Sequence, residues 1–133
     1  MNNFIYYDYA NSQLCKVKEN QSTYLKVNTI QKYLNQLCLE NGSTLQGRKD
    51  SYKYLMHQKK FIPIQVHEHL IYFPTKATKA ADCIWINYFS IDYVKYTKKT
   101  CTIYFIDHTC LTCSNPKRIQ HSLLSIQQYI HFF

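Results

Sequence analysis

Glycine is nearly absent from this sequence, with Gly42 and Gly47 the only two among 133 residues. A backbone loop that cradles phosphate needs several glycines in a short run, so P-loop and dinucleotide sites are excluded and no cofactor is expected. Without a Gly/Ser-rich or Pro-rich linker there is no boundary, so residues 1–133 read as one domain, long enough to bury its own core. Acidic side chains are scarce as well, numbering eight. They are scattered, so there is no carboxylate pair for a metal-dependent nuclease or a glycosidase. No HExxH run and no Gly-rich nucleophile elbow occurs, and the expectation is that the chain is not an enzyme. No apolar run approaches the roughly 18–20 residues needed to cross a bilayer. The first twenty residues, MNNFIYYDYANSQLCKVKEN, lack a basic stretch followed by an apolar one, so a cytoplasmic location is expected.

The six cysteines are Cys15, Cys38, Cys83, Cys101, Cys110 and Cys113. In a reducing cytosol they read as free thiols packed like small hydrophobes. Cys110-x-x-Cys113 has no second pair at zinc-ligand spacing, and it ends a strand-like run instead of opening a helix as a redox pair would. His67 and His69 would share a face of an extended segment, but no third ligand is apparent, so no metal is assigned.

What the chain has in abundance is lysine. Of sixteen basic residues fourteen are Lys, and the formal net charge is +8. Lys, Asn, Ile, Tyr and Phe all have A/T-rich codons, so the location of the charge says more than its amount. Lys and Arg minus Asp and Glu gives +1 for residues 1–42, +5 for 43–80 and +2 for 81–133, which sums to the +8 of the whole. A basic segment between hydrophobic elements is the footprint of a nucleic-acid contact surface.

Patterning predicts an α+β domain. Residues 3–9 and 13–18 predict a hairpin. Asn28, with Gln31 three residues on, predicts a capped helix start; Val27, Ile30, Leu34, Leu37 and Cys38 recur at helical spacing, and Asn41-Gly42 forms a left-handed cap. Ser43, paired with Gln46, starts a second helix whose inner stripe is Leu45, Tyr52, Leu55 and Met56. Arg48 falls inside that stripe, with Lys49, Lys53 and, if the helix continues, Lys60 along its edge. A guanidinium there must find acceptors, either within the fold or on a nucleic acid. Gly47 inside a helix costs about 1 kcal/mol relative to Ala and signals a close approach or a break.

Residues 61–66 and 70–73 predict strands around the turn His67-Glu68-His69, with Pro63 marking an edge. The loop 75–80 carries Lys76 and Lys79 among small side chains and hydroxyls, suited to touching phosphates or entering a groove. Residues 83–89 and 91–96 predict further strands, Trp85 being a core anchor. Residues 101–105 and 109–113 predict a hairpin around Ile106-Asp107-His108. Ser114 or Asn115 caps a final helix with Pro116 at its first position and Ile119, Leu123, Ile126, Ile130 and Phe133 along one face. Lys117 and Arg118 occupy its first turn, where the helix dipole disfavours cations and a bound DNA phosphate would relieve the cost. The expected architecture is a mainly antiparallel sheet with two helices in the N-terminal half and one closing the chain.

Gly42-Ser43 leading into Gly47-Arg48-Lys49, the strand pair ending in Phe73-Pro74-Thr75, and then Cys83-x-Trp85-Ile86 together resemble the competence transcription factor ComK family in order and spacing. The resemblance covers nearly the whole chain. It implies a DNA-binding transcriptional activator of competence, or DNA-uptake, genes that recognises paired A/T-rich boxes largely through the minor groove and acts as an oligomer. It also implies RNA polymerase and a degradation adaptor as partners, and a nucleoid-associated location. The contact candidates are Arg48, Lys49, Lys53, Lys59, Lys60, Lys76 and Lys79, with Lys117 and Arg118 as phosphate contacts. Longer members continue past the last helix with a polar, basic tail linked to degradation by an adaptor and protease; this sequence departs from them by stopping at Phe132-Phe133. That departure keeps a rival reading open, a protein-interaction module that modulates a full-length relative without touching DNA. A generic RNA binder ranks third, since no paired aromatic signature of an RNP-type sheet is found.

Overall fold

Residues 2–132 of the chain are described by the computed structural model. They form, in order, β1 (Phe4–Asp8), β2 (Gln13–Lys18), β3 (Gln21–Tyr24), α1 (Ile30–Glu40), α2 (Leu45–Met56), β4 (Ile64–His67), β5 (Leu70–Pro74) and β6 (Trp85–Asn87). A short 3-10 turn, Tyr88–Ser90, leads to β7 (Ile91–Tyr96), β8 (Cys101–Phe105), β9 (Cys110–Cys113) and α3 (Pro116–Ile130). The expected class holds: three helices and antiparallel strands in one α+β domain. The strands divide into two sheets, however, a six-stranded one in the order β3-β2-β1-β6-β5-β4 and a three-stranded one in the order β7-β8-β9.

The division follows from strands that are apolar on both faces. Ile5, Leu14, Ile64, Val66, Tyr72 and Trp85 turn to one side of the large sheet and pack against Leu34 and Cys38 of α1 and Leu45 of α2. Ile71, Phe73 and Ile86 turn to the other and meet Cys101, Ile103, Phe105 and Cys113 of the small sheet and Ile119 and Ile126 of α3. Since side chains alternate along a strand, a run such as Ile71-Tyr72-Phe73 can cement two layers at once. The result is helices, sheet, then small sheet with helix. A third apolar group, Tyr52, Ile62 and Tyr129, ties α2 to α3. There Tyr52 Oη and Ser125 Oγ lie 2.5 Å apart, and Tyr129 Oη donates to Gln65 Oε1 at 2.7 Å.

A polar corner joins the two sheets where the chain turns from β6 through the 3-10 turn into β7. Asn3 is buried there; its backbone carbonyl accepts from Asn87 N at 2.9 Å. Its amide nitrogen donates to Asp107 Oδ2 at 2.7 Å. Asp107, in the β8–β9 turn, also accepts from Glu19 N at 2.9 Å, Thr109 N at 3.1 Å and Thr109 Oγ1 at 2.6 Å.

Several local expectations shift. Thr29, one residue after Asn28, caps α1 by accepting from Lys32 N, and Thr44, one after Ser43, caps α2 by accepting from Gly47 N. Gln46 turns outward to Asp50 Oδ1, 2.9 Å away, and closes no capping box. Gly42 is left-handed as expected, with φ of 83°. Gly47 does not break the helix; a Cβ there would sit 3.1 Å from Thr44 Oγ1 and 3.2 Å from Ser43 Oγ, so the close approach is to the cap's own hydroxyls. α2 stops at Met56 because His57 takes a left-handed φ of 54°, which leaves Lys60 off the helix. Residues 83–89 form only a three-residue strand before the 3-10 turn. β3 was not anticipated: its four residues are all exposed and polar or aromatic, and it exists by pairing with β2 across left-handed Glu19 and Asn20, at 53° and 62°. Two positive φ values at a two-residue hairpin tip match the twist of the flanking strands. Pro63 does precede an edge strand, and Trp85 is in the core at 4% exposure. Phe133, expected as the last contact of the closing helix, lies outside the described residues.

The corner makes stability depend on acid in a definite direction. Partial burial pushes the Asp107 carboxyl up, but the bonds from the Thr109 hydroxyl, Asn3, Thr109 N and Glu19 N outweigh it and bring it from 3.8 to about 2. A depressed carboxylate contributes stability that is complete above the unfolded value and lost as pH falls through the folded one. Asp107→Asn is therefore expected to lower Tm at pH 7 and to flatten the fall in Tm between about pH 4 and pH 2, read by thermal melts at each pH. An unchanged acid limb in the variant would contradict the assignment.

Candidate nucleic-acid interface

Three chain segments far apart in sequence meet at one end of the molecule. They are residues 75–77 after β5, the Lys98-Lys99 tip between β7 and β8, and residues 114–118 at the start of α3. With Phe61 they line an open cleft of about 590 Å³. Lys76, Lys98, Lys99, Lys117 and Arg118 line it, and no carboxylate does.

Each wall has a local reason. The tip Thr97-Lys98-Lys99-Thr100 is held by Thr97 N to Thr100 O at 2.8 Å and by Thr100 N to Thr97 Oγ1 at 3.0 Å. A threonine at each end of the turn thus fixes two lysines outward. Pro116 starts α3, as expected, but Asn115 does not close its end. The Asn115 amide donates instead to Thr75 O at 3.3 Å and ties the helix start to the end of β5. The first-turn N–H groups of α3 therefore have no side-chain cap and add positive potential beside Lys117 and Arg118.

Arg118 is the most constrained of the five. Its guanidinium carbon lies 4.2 Å from the centre of the Phe61 ring, Nη2 touches His121 Nδ1, and Nε is buried without a hydrogen-bond partner. Burial lowers its pKa from the ordinary value, as befits a cation held partly from water with no carboxylate beside it. Lys76 alone has an acid in contact, the exposed Asp82, whose carboxyl is lowered chiefly by that bond. Five cations in one cleft repel each other and concentrate a field that attracts anions.

The other predicted contacts scatter. Lys59 and Lys60 are exposed in the segment leading to Phe61 and so flank the cleft by chain continuity. Lys49 and Lys53 are on α2 and do not line it. Arg48 turns inward: Nη2 reaches Asn41 O at the end of α1 at 3.4 Å, and its charge opposes the burial that raises the Cys38 and Tyr129 pKa values. Lys79 lines a separate cavity of about 310 Å³ with Tyr7, Tyr9, Thr29 and Trp85. Lys98 and Lys99 are the cleft cations that sequence reasoning missed. The available signal was TKKT between two strand-like runs, a hairpin tip, but nothing local says where that tip folds.

The remaining chemical candidates separate too. Cys110 pairs across with Tyr104 and is exposed, whereas Cys113 pairs across with Cys101 and is buried, so the two thiols leave β9 on opposite faces. Burial, aided by Cys101, pushes the Cys113 thiol up to about 12. His67 Nδ1 accepts from His69 N at 3.1 Å within the turn. Among the described residues no three His, Cys, Asp or Glu side chains gather as a metal-ligand set, and no helix is long and apolar enough to cross a membrane.

Taken together, this is a three-layer, basic α+β domain whose clustered charge opens outward into a cleft. The chain belongs to the ComK family: the family model described as ComK protein matches residues 4–129. Membership makes it a transcription factor of the competence type. No curated protein and no solved structure matches it.

The cleft charge can be tuned in both directions. Asp82→Asn, which releases Lys76, is expected to raise the salt needed to elute the protein from heparin, and Lys98→Glu with Lys99→Glu to lower it markedly. Elution unchanged by the double reversal would show that the polyanion binds elsewhere.

Proposed function

We propose that the protein is a DNA-binding transcriptional activator of competence, or DNA-uptake, genes that holds duplex DNA by its phosphates in the cleft and prefers A/T-rich sites through the minor groove. The observation that carries this reading is the convergence of Lys76, Lys98, Lys99, Lys117 and Arg118 around one opening with no carboxylate in its lining. Phosphate contacts position a duplex, while groove contacts specify it. A/T-rich minor grooves are narrow and strongly negative, which suits the exposed lysines flanking the cleft, Lys59 and Lys60 before Phe61; Lys79, which lines a separate cavity, becomes a peripheral contact. Lys49 and Lys53 become peripheral contacts, and Arg48 a buttress between α1 and α2. On this reading the protein works in the cytoplasm at the nucleoid, as an oligomer, with RNA polymerase and a degradation adaptor as further partners.

The rival, a modulator that binds a relative and not DNA, draws support from a groove beside the edge strand β7. Tyr93, Tyr96 and Leu124, exposed at 47%, 42% and 54%, line it.

Fluorescence anisotropy with A/T-rich and G/C-rich duplexes of equal length, across a salt series, separates the two. The activator reading expects tighter A/T binding and a log–log salt slope near −4 to −5, roughly 0.9 for each of five neutralised phosphates. Equal, weak binding to both duplexes, with partner binding left intact by charge reversal in the cleft, would favour the modulator.

A further inference from the structure

The segment 57–61 joins α2 to β4 through two left-handed residues and a set of side-chain hydrogen bonds. His57 and Phe61 bracket it in the left-handed region, at φ of 54° and 55°. For a bulky aromatic residue such a backbone is an outlier; strain of this kind persists only where the surrounding structure over-determines it, and it clusters at functional sites. Gln58 holds the bracket rigid. Its Nε2 donates to Lys60 O at 2.8 Å and Phe61 O at 3.1 Å, while its Oε1 accepts from Ser125 Oγ of α3 at 2.8 Å. The segment is thereby fastened to the helix that carries Arg118, and the Phe61 ring sits 4.2 Å from the Arg118 guanidinium carbon.

We propose that Phe61 is the positioning residue of the cleft. Its ring fixes the Arg118 guanidinium by a cation–π contact, so that Arg118 meets an entering phosphate with its donors already oriented. A guanidinium presents five N–H donors, and here Nη2 touches His121 Nδ1 while Nε has no partner. The other donors of a side chain that lines the cleft remain for an anion. A pre-oriented Arg loses less side-chain freedom on binding, and the aromatic face supplies that order without neutralising the charge as a carboxylate would. The ligand chemistry is a phosphate; the inference rests on the cleft being a phosphate site, and duplex DNA is the source proposed above.

The test uses two probes, inorganic pyrophosphate and an A/T-rich duplex, on the full chain. Pyrophosphate binding is followed by the Arg118 Nε–H resonance and duplex binding by anisotropy. Phe61→Leu is expected to weaken both by about tenfold, while Phe61→Tyr, which keeps the ring, stays near wild type. Phe61→Gly relieves the left-handed strain and deletes the ring, so it should bind like Phe61→Leu while remaining folded. Acting through Arg118 has its own signature: adding Phe61→Leu to Arg118→Lys should cost little beyond Arg118→Lys alone. Wild-type binding by Phe61→Leu or Phe61→Gly, or additive losses in the double variant, would overturn the proposal. Pyrophosphate binding that depends on Phe61, in a protein that ignores the duplex, would sustain it and remove the DNA reading. Failure of the wild type to bind either probe would remove both.

Discussion

The packing of Ile71, Phe73 and Ile86 against Ile103, Phe105, Ile119 and Ile126 is the constraint on which the rest of the molecule depends. Each of these side chains is fully or almost fully buried, and burying one is worth roughly 1.5–3 kcal/mol. The hydrogen bonds at the Asn3–Asp107 corner add about 1 kcal/mol each at the usual net value. Apolar contact therefore holds the small sheet and α3 on the large sheet, and the polar corner selects the one register in which they settle. β8 runs from the Lys98-Lys99 tip to the Asp107 turn, roughly 17 Å for its five residues. Fixing one end at the corner thus delivers the lysine tip to the start of α3, where the cleft forms.

The two arginines show how the same side chain is used in opposite ways. Arg48 spends its charge inside the fold, reaching a carbonyl at the end of α1 where the helix dipole is negative. Arg118 stands at the start of a helix, where the dipole is unfavourable, with an aromatic ring and no carboxylate for company. A cation at the favourable end of a helix stabilises structure; one at the unfavourable end carries a small cost that a bound anion would relieve. The local cost at α3, a few tenths of a kcal/mol per exposed cation, is small beside the apolar core beneath it.

Much of the fold was legible in the sequence because the signals were local. Helical spacing located α1, α2 and α3; Pro116 marked a start, Gly42 a stop, and Pro63 an edge. β3 was invisible because QSTY has no apolar residue to bury and is held by its neighbour alone. The cap positions slipped by one residue because Asn28-Thr29 and Ser43-Thr44 each offer two hydroxyl or amide side chains in sequence, and backbone geometry chose the second. The candidate site was half legible. Lys76, Lys117 and Arg118 were marked by loop composition and by the helix dipole, whereas Lys98 and Lys99 are brought to them only by the pairing of β7, β8 and β9. Arg48 drew attention for a sound reason, a cation in an apolar stripe, and the fold answers it in part: Nη2 reaches a backbone carbonyl while Nε stays buried without a partner.

If duplex DNA enters the cleft as proposed, amide chemical-shift mapping reads the contact directly. Titrating an A/T-rich duplex into the ¹⁵N-labelled protein should perturb residues 59–61, 75–77, 98–99 and 114–118 together, leaving α2 around Lys49 and Lys53 nearly still. Perturbations centred on α2, or on the groove beside β7, with the 98–99 and 114–118 amides unmoved, would contradict the cleft as the interface.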